Sequence, residues 1–414
     1  MGAVTVVGGV YEEAIRTPPV RRMMGSGLRA AAVLRALGDE VRLITRIDGE
    51  SRPELTALAG AYDVEVTADN RESPIGFAYL SPVDAPRVRG LAVDVSAPVA
   101  GVADVVLGFG MVEGPVRLGG EVVVVDPQHA SLGENGISVT NADRAAIVVS
   151  QGELRRLTST AEDDLATAAR QLASAHGFQV VVVKRGALGA LVVHDEGCEW
   201  QPAISTALVA PVGTGDVFSA AFAHAWGVEG VEPLAAAASA ANATAWHATH
   251  DTPILPTGPL LRGQLPDGAA VGNWTQEIEA IVYLASPFFD LAETWRVELA
   301  RRGLLDIGAR VFSPLHDVDQ VAGDVEIASA DLTGLNSCDA VVALLDGADP
   351  GTLFEVGYAV RAGLPVVAFS AQPADNRWLM LRGSGVEVLD DLSTALYRGC
   401  WQALAKSAVG QGPT

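Results

Sequence analysis

Residues 330–363 read ADLTGLNSCDAVVALLDGADPGTLFEVGYAVRAG, and this stretch decides the fold. A run of eight residues, DAVVALLD at 339–346, has strand length and strand composition. A turn with glycine and proline follows, and then a segment of helical period opens near Thr352. Strand, tight turn and helix in that order are the unit of a parallel sheet covered by helices. The same texture runs outward in both directions. AVTVVGG (3–9), LRAAAVLRALG (28–38), EVRLITRI (40–47), EVVVVDP (121–127), QVVVVKRG (179–186), IVYLAS (281–286) and PVVAFS (365–370) alternate short Val/Ile runs with longer Ala/Leu/Arg segments. The expectation is an α/β protein with largely parallel sheets.

One interval breaks the pattern. Residues 251–275, DTPILPTGPLLRGQLPDGAAVGNWT, hold Pro and Gly at short spacing with no sustained period. The expected division is therefore a domain over 1–255, a linker over 256–276 and a second domain over 277–414, a plan that suits a chain of 414 residues. Within the first domain, residues 10–24 and 71–95 alternate less regularly, and a small lid of β-structure is expected there.

Composition narrows the function classes. Lys+Arg 28 against Asp+Glu 50 gives 28 − 50 = −22, a charge that repels a phosphate backbone, so nucleic acid is not an expected partner. A single nucleoside or nucleotide is not excluded by this charge, and the resemblances described below imply small-molecule partners: a nucleoside, a free base or a sugar. Three scattered cysteines, Cys198, Cys338 and Cys400, make neither a disulfide framework nor a zinc site. No HxxxH or HExxH spacing links the histidines, so no metal ligand is assigned from them. The N-terminus lacks the basic region of a secretion signal, and apolar runs are of strand length. A cytoplasmic location and no membrane association are expected.

Two constellations carry chemistry. In the C-terminal part, Asp331, Asp349 and Glu355 are three carboxylates around one strand end, the edge where parallel sheets bind ligands. Such a group can break a glycosidic bond, one carboxylate attacking the anomeric carbon while another handles the leaving group's proton. Taken singly, each has an ordinary structural reading as a turn residue, helix cap or solvated helix residue. In the N-terminal part, Val212-Gly213-Thr214-Gly215-Asp216 puts a glycine turn directly before an Ala-rich helix. Free backbone N–H groups and the helix dipole there suit an anion, and Asp216 can act as a general base.

Three separated blocks, Tyr283 to Phe289 (YLASPFF), Asp331 to Gly334 (DLTG) and Asp349 to Ala359 (DPGTLFEVGYA), resemble the nucleoside 2-deoxyribosyltransferase family. The resemblance implies a flavodoxin/Rossmann-like parallel-sheet domain that needs no cofactor. It implies that Glu355 is the nucleophile of a covalent deoxyribosyl intermediate, and that Asp331 and Asp349 hold sugar hydroxyls and the leaving base. Tyr283 would line the sugar pocket, with Phe288, Phe289 and Gly351 binding substrate. Asn376 sits where the family supplies an asparagine from a neighbouring subunit, which implies a homo-oligomer. Related nucleotide N-glycosidases have Gly-Ser, Arg and Ser where Phe288, Phe289 and Asp349 stand here, so an unphosphorylated nucleoside is expected.

The first domain resembles the PfkB or ribokinase family of sugar and nucleoside kinases. The residues that carry this are Gly25-Ser26-Gly27 through Gly38, Asp126-Pro127, Lys184 to Ala190 and the Gly213–Asp216 turn. The resemblance implies a three-layer domain with the β lid, ATP with Mg2+ as donor, Asp216 as base, and Gly213, Thr214 and Gly215 as anion hole. Lys184, Gly186 and Gly189 would lie on the nucleotide side, and Glu13, Gly25, Gly27 and Arg29 on the substrate side. Departures are visible: Ala210-Pro211-Val212 precede the turn, and Arg29 replaces an asparagine, its fork suiting a substrate carboxylate or phosphate. The combined expectation is a bifunctional enzyme of nucleoside metabolism, in which one domain releases a deoxyribose that the other phosphorylates, or both act in turn on one nucleoside. The alternatives are a sensor with a degenerate kinase domain that binds nucleoside or ATP, and a simple nucleosidase with water as acceptor.

Overall fold

A computed structural model describes residues 2–90, 97–158, 164–256, 269–271, 279–321 and 323–410. The chain divides into two compact units, one of residues 1–184, 189–206 and 210–268, the other of residues 185–188, 207–209 and 269–414. Of the linker expected over 256–276, only residues 256 and 269–271 lie within the described residues.

The first unit is built on a ten-stranded sheet. From one edge its strands run Gly197–Pro202, Gly189–His194, Val180–Lys184, Ile137–Ser150, Val116–Asp126, Val105–Phe109, Ala3–Val7, Glu40–Ile47 and Glu65–Asn70, with Val99–Val102 beside Val116–Asp126. All pairings are parallel except the two at the Gly197–Pro202 edge. The VVVV runs explain the layering. Val122, Val124, Val180 and Val182 point into one core, and Val123, Val125, Val181 and Val183 into another. Alternate side chains buried on opposite faces are what helices on both sides of a sheet require. The Ala-rich helix Pro233–His250 belongs to the first core through Ala236, Ala237, Ala240 and Ala243, whose small side chains permit close packing.

The irregular segments form a separate four-stranded sheet, in the order Val20–Met23, Glu12–Ile15, Gly76–Tyr79 and Arg87–Arg89. It occupies the place in the chain where a β lid is expected, and places Glu13 on one of its inner strands.

The second unit holds an all-parallel sheet in the order Arg310–Phe312, Ile281–Ala285, Ala340–Leu344, Val366–Phe369 and Glu387–Leu389. Numbered along the chain this is 2-1-3-4-5, the doubly wound order of a flavodoxin-like fold. Its ligand crevice lies beyond the carboxyl ends of strands 1 and 3, where the winding reverses. Those are Ile281–Ala285 and Ala340–Leu344, which lead into the YLASPFF block and the Asp349–Glu355 block. Among the described residues no helix is long and apolar enough to cross a membrane. Cys198 is exposed, Cys338 and Cys400 are buried, and all three are free thiols.

Candidate active sites

In the second unit, strand Ala340–Leu344 is buried at every position and delivers the chain to a tight turn. Gly347 takes φ 99° and Ala348 φ 55°; for a residue with a side chain the latter costs about 1 kcal/mol. The strain is local to the site, and the turn it makes ends on Asp349, the cap of helix Pro350–Arg361. Asp349 Oδ2 accepts hydrogen bonds from Thr352 N at 2.7 Å and Thr352 Oγ1 at 3.0 Å. The cap fixes the first turn, with Gly351 in it, and Glu355 follows on the same helix.

Glu355 Oε1 accepts the Tyr283 hydroxyl proton at 2.5 Å. Tyr283 is held from behind by the Phe312 ring, stacked at 5.5 Å. Burial drives the Glu355 carboxyl up from 4.5 to about 7; the Tyr283 hydrogen bond pulls it down, and the charges of Asp331 and Asp349 push it up. Burial also pushes the Tyr283 hydroxyl far above its ordinary value, helped by Glu355, so it stays a donor. Asp331, on helix Asp324–Asn336, is raised by burial. Its Oδ1 is buried and has no hydrogen-bond partner among the described residues. A buried acceptor left in that state is costly unless a ligand supplies the donor.

Tyr283, Asp331, Asp349 and Glu355 thus form one electrostatic group. Phe288 and Phe289 lie on the adjoining loop with rings stacked at 5.6 Å, and Phe289 is 78% exposed. That loop is tied down by a capping box that sequence reading missed: Asp290 accepts from Glu293 N, while Glu293 Oε2 accepts from Phe289 N at 2.8 Å and Asp290 N. The D-x-x-E spacing ahead of a helix was its available signal. Asn376 stands apart from the group, exposed at the start of the single turn Asn376–Trp378.

In the first unit the glycine turn forms. Gly213 caps helix Thr214–Phe222 at φ 85°, and Thr214 Oγ1 donates to Pro211 O at 2.8 Å. Gly25 adopts φ 74° and donates its N–H to Glu13 Oε1 at 3.2 Å, while Gly27 packs directly on the Gly8 backbone. Gly186 and Gly189 take φ 52° and 106° around the short turn after Lys184.

The charged side chains are arranged differently from the expectation. Arg29, expected to offer its fork to a substrate anion, gives it to the protein: 2.6 Å to Asp216 Oδ2, and 2.7 and 2.6 Å to the two Glu13 oxygens. The reason is burial, because a guanidinium cannot be left uncompensated in a core. Gln128 Nε2 donates to the other Asp216 oxygen at 3.0 Å. Burial raises the Asp216 carboxyl and Arg29 draws it back; at Glu13, Arg29 and Arg22 outweigh burial and hold the carboxyl low. Lys184 Nζ lies 2.8 Å from Asp126 Oδ2, the oxygen that also accepts from Ser219 Oγ at 2.7 Å.

The kinase resemblance implies ATP with Mg2+ as donor, and two cations stand beside the glycine turn. A Cβ built on Gly213 would lie 2.2 Å from Arg29 Nε, and one on Gly215 would lie 3.2 Å from Lys184 Nζ. Arg29 is paired with Glu13 and Asp216, and Lys184 with Asp126, while Arg29 Nε is a buried donor with no partner among the described residues.

Two family models match the chain. A family model described as nucleoside 2-deoxyribosyltransferase matches residues 282–391, and one described as pfkB family carbohydrate kinase matches residues 118–252. Both are families of enzymes, and the chain carries both domains. No curated protein matches the chain. Similar solved structures include fructokinase from Vibrio cholerae O395 in a fructose, ADP and calcium ion bound form, 14% identical with a TM-score of 0.48, covering 63% of this chain and 98% of that one. Phosphofructokinase-2 from Escherichia coli in complex with potassium is 15% identical with a TM-score of 0.44, covering 63% and 97%. A pyrophosphate-dependent kinase in the ribokinase family is 16% identical with a TM-score of 0.44, covering 60% and 96%.

Proposed function

We propose that the chain acts in nucleoside metabolism, and that its second unit cleaves or exchanges the N-glycosidic bond of a deoxynucleoside through Glu355. The observation that carries this reading is a half-buried carboxylate pair of unequal roles: Glu355, held by Tyr283, and Asp331, with a buried oxygen unpartnered among the described residues. Glu355 in its ionised form attacks C1′ of the sugar. The C1′–N bond breaks, and its electron pair leaves with the base, which takes a proton from Asp331 or Asp349. The sugar remains as an ester on Glu355. A second base then attacks C1′ through a ring nitrogen and returns its proton to the aspartate, and Glu355 leaves as carboxylate. Water in place of the second base gives hydrolysis instead.

The test is product analysis by chromatography. Protein is incubated with ribo- and deoxynucleosides and their 5′-monophosphates, with and without a second free base. A swapped nucleoside supports transfer, free base alone supports the nucleosidase, and neither product from any substrate refutes the reading.

The pH profile follows from the site. Glu355 must be ionised to attack, so kcat/KM should rise with pH through about 7. Tyr283→Phe removes a hydrogen bond to the ionised form and should move that limb to higher pH, costing more activity at pH 6 than at pH 8. An unmoved limb would mean that another group titrates there.

We assign the protein to the cytoplasm, as free thiols suit, and to a homo-oligomer whose Asn376 serves a neighbour's site. Exposed Phe289, Leu291 and Phe354 support such an interface. Light scattering should find more than one subunit, and Asn376→Ala should lower kcat/KM without dissociating the assembly; a fully active monomer would refute this. In the first unit Asp216 accepts from Arg29 and Gln128.

A further inference from the structure

In the first unit one carboxylate is surrounded by more donors than it can answer. Glu13, 4% exposed, accepts from Arg29 Nη2 with both oxygens at 2.7 and 2.6 Å, from Arg22 Nε at 2.9 Å and from Gly25 N at 3.2 Å. Gly25 opens the 13-residue helix Gly25–Leu37, whose N-terminus favours negative charge. Two further donors stand beside these. Arg29 Nε and Arg22 Nη2 are buried and have no hydrogen-bond partner among the described residues, and Arg29 as a whole is 1% exposed.

The shape of the guanidinium explains the surplus. Its donors lie in one plane, and Nε shares an edge with Nη2. Arg29 and Arg22 each turn that edge to Glu13, and each leaves one of its two donors unmet. The other end of each fork is fixed elsewhere, Arg29 Nη1 on Asp216 at 2.6 Å and Arg22 Nη1 on Asp251 at 2.8 Å. A Cβ on Gly213 would lie 2.2 Å from Arg29 Nε, 2.3 Å from Cζ and 2.7 Å from Cδ. Distances this even put Gly213 over the face of the guanidinium, so the edge stays turned to Glu13. Burial raises the Glu13 carboxyl, but Arg29 and Arg22 outweigh it and hold the group below its ordinary value. The nest therefore selects negative charge, and a carboxylate leaves part of it unanswered. Buried donors in that state are costly. A tetrahedral anion with three free oxygens suits two fork edges better, because each edge can bind it with both donors.

We propose that Arg22, Arg29 and Gly25 form a phosphate-binding site in which Glu13 is the protein's own stand-in: the phosphate group of a phosphomonoester, or inorganic phosphate, takes the place of the Glu13 carboxylate between the two guanidiniums. Asp216 and Asp251 are positioning residues that hold the far ends of the forks. Glu13 and Arg22 lie on strands Glu12–Ile15 and Val20–Met23 of the small sheet, and Arg29 and Gly25 on the helix, so the exchange frees the small sheet from the helix at Glu13.

Calorimetric titration of the full chain with inorganic phosphate, ribose 5-phosphate and neutral ribose tests this. At least one of the two phosphates should bind saturably, ribose 5-phosphate alone if the site reads a phosphomonoester and both alike if it takes free phosphate. Glu13→Gln removes the competing charge and should tighten that binding at least tenfold. Arg22→Ala, which truncates a partly exposed side chain, should weaken it at least tenfold, and neither substitution should change the response to ribose. No saturable heat from either phosphate in the unaltered chain, or equal affinity in the unaltered and Glu13→Gln proteins, would overturn the proposal. Should Glu13→Gln fail to fold, Arg22→Ala decides, and phosphate affinity unchanged by it would overturn the proposal as well.

Discussion

Glu355→Ala should reduce nucleoside cleavage and base exchange by about 10⁴-fold or more, the scale seen when the nucleophile of a covalent mechanism is removed. The size follows from its position. Helix Pro350–Arg361 is fixed by its Asp349 cap, and Tyr283 sets the carboxylate. Asp331→Asn should cost less, about 10²–10⁴-fold, the contribution of a general acid. Loss of Asp331 should be smallest for nucleosides whose base leaves readily without a proton. Single-turnover rates with a fixed deoxynucleoside check both variants. A Glu355→Ala protein working at the unaltered rate would remove the basis for the proposed function.

The second large effect is on stability and has the opposite sign. The Glu355 carboxyl lies at about 7 against an ordinary 4.5, so the folded chain binds that proton more tightly than the unfolded chain does. The resulting stabilisation is complete below pH 4.5 and is lost as pH rises through 7. Above pH 7 the ionised group costs up to about 3 kcal/mol. Glu355→Gln keeps an oxygen for the Tyr283 hydroxyl and carries no charge. It should therefore raise the melting temperature of the second unit at pH 8, by roughly 5–10 °C, with the gain vanishing near pH 4.5. Calorimetric scans at pH 5 and pH 8 measure it. An equal change at both pH values would mean that Glu355 is not the strained, desolvated group described. Inactivation combined with stabilisation is expected of a site that stores its cost locally.

Much of the architecture was legible because its causes are local. Four valines in a row at 122–125 are a strand covered on both faces, and the two valine sets do fall in separate cores. The strand-turn-helix at 339–361 was visible for the same reason: the apolar run, the turn residues and the helical period are contiguous in sequence. The lid segments showed themselves by a failure of alternation, and there the chain pairs Glu12–Ile15 with Val20–Met23 and Gly76–Tyr79. Short-range capping at Asp290 and Glu293 was equally legible and was passed over.

What escaped was charge pairing over long separations. Arg29 lies 16 residues from Glu13 and 187 from Asp216, and nothing in the spelling of GSGLR says that its fork points inward. An exposed Arg and a buried, doubly paired Arg are spelled alike; only the helix packing on Gly8 and Gly9 separates them. Asp331 is a similar case. Its orphaned oxygen depends on where helix Asp324–Asn336 lies against the strand end, which no periodicity specifies. Asn376 is exposed and outside that group, and the role proposed for it rests on a second subunit.

The most direct test is to trap the intermediate. The chain is mixed with excess deoxynucleoside, quenched in acid within the first turnover and digested, and the peptides covering residues 350–361 are weighed. A mass gain of one anhydro-deoxyribosyl group, localised to Glu355 by fragmentation and reversed by chasing with a free base, is the predicted result. An unmodified Glu355 in a sample accumulating exchanged nucleoside, or the sugar on another residue, would contradict it.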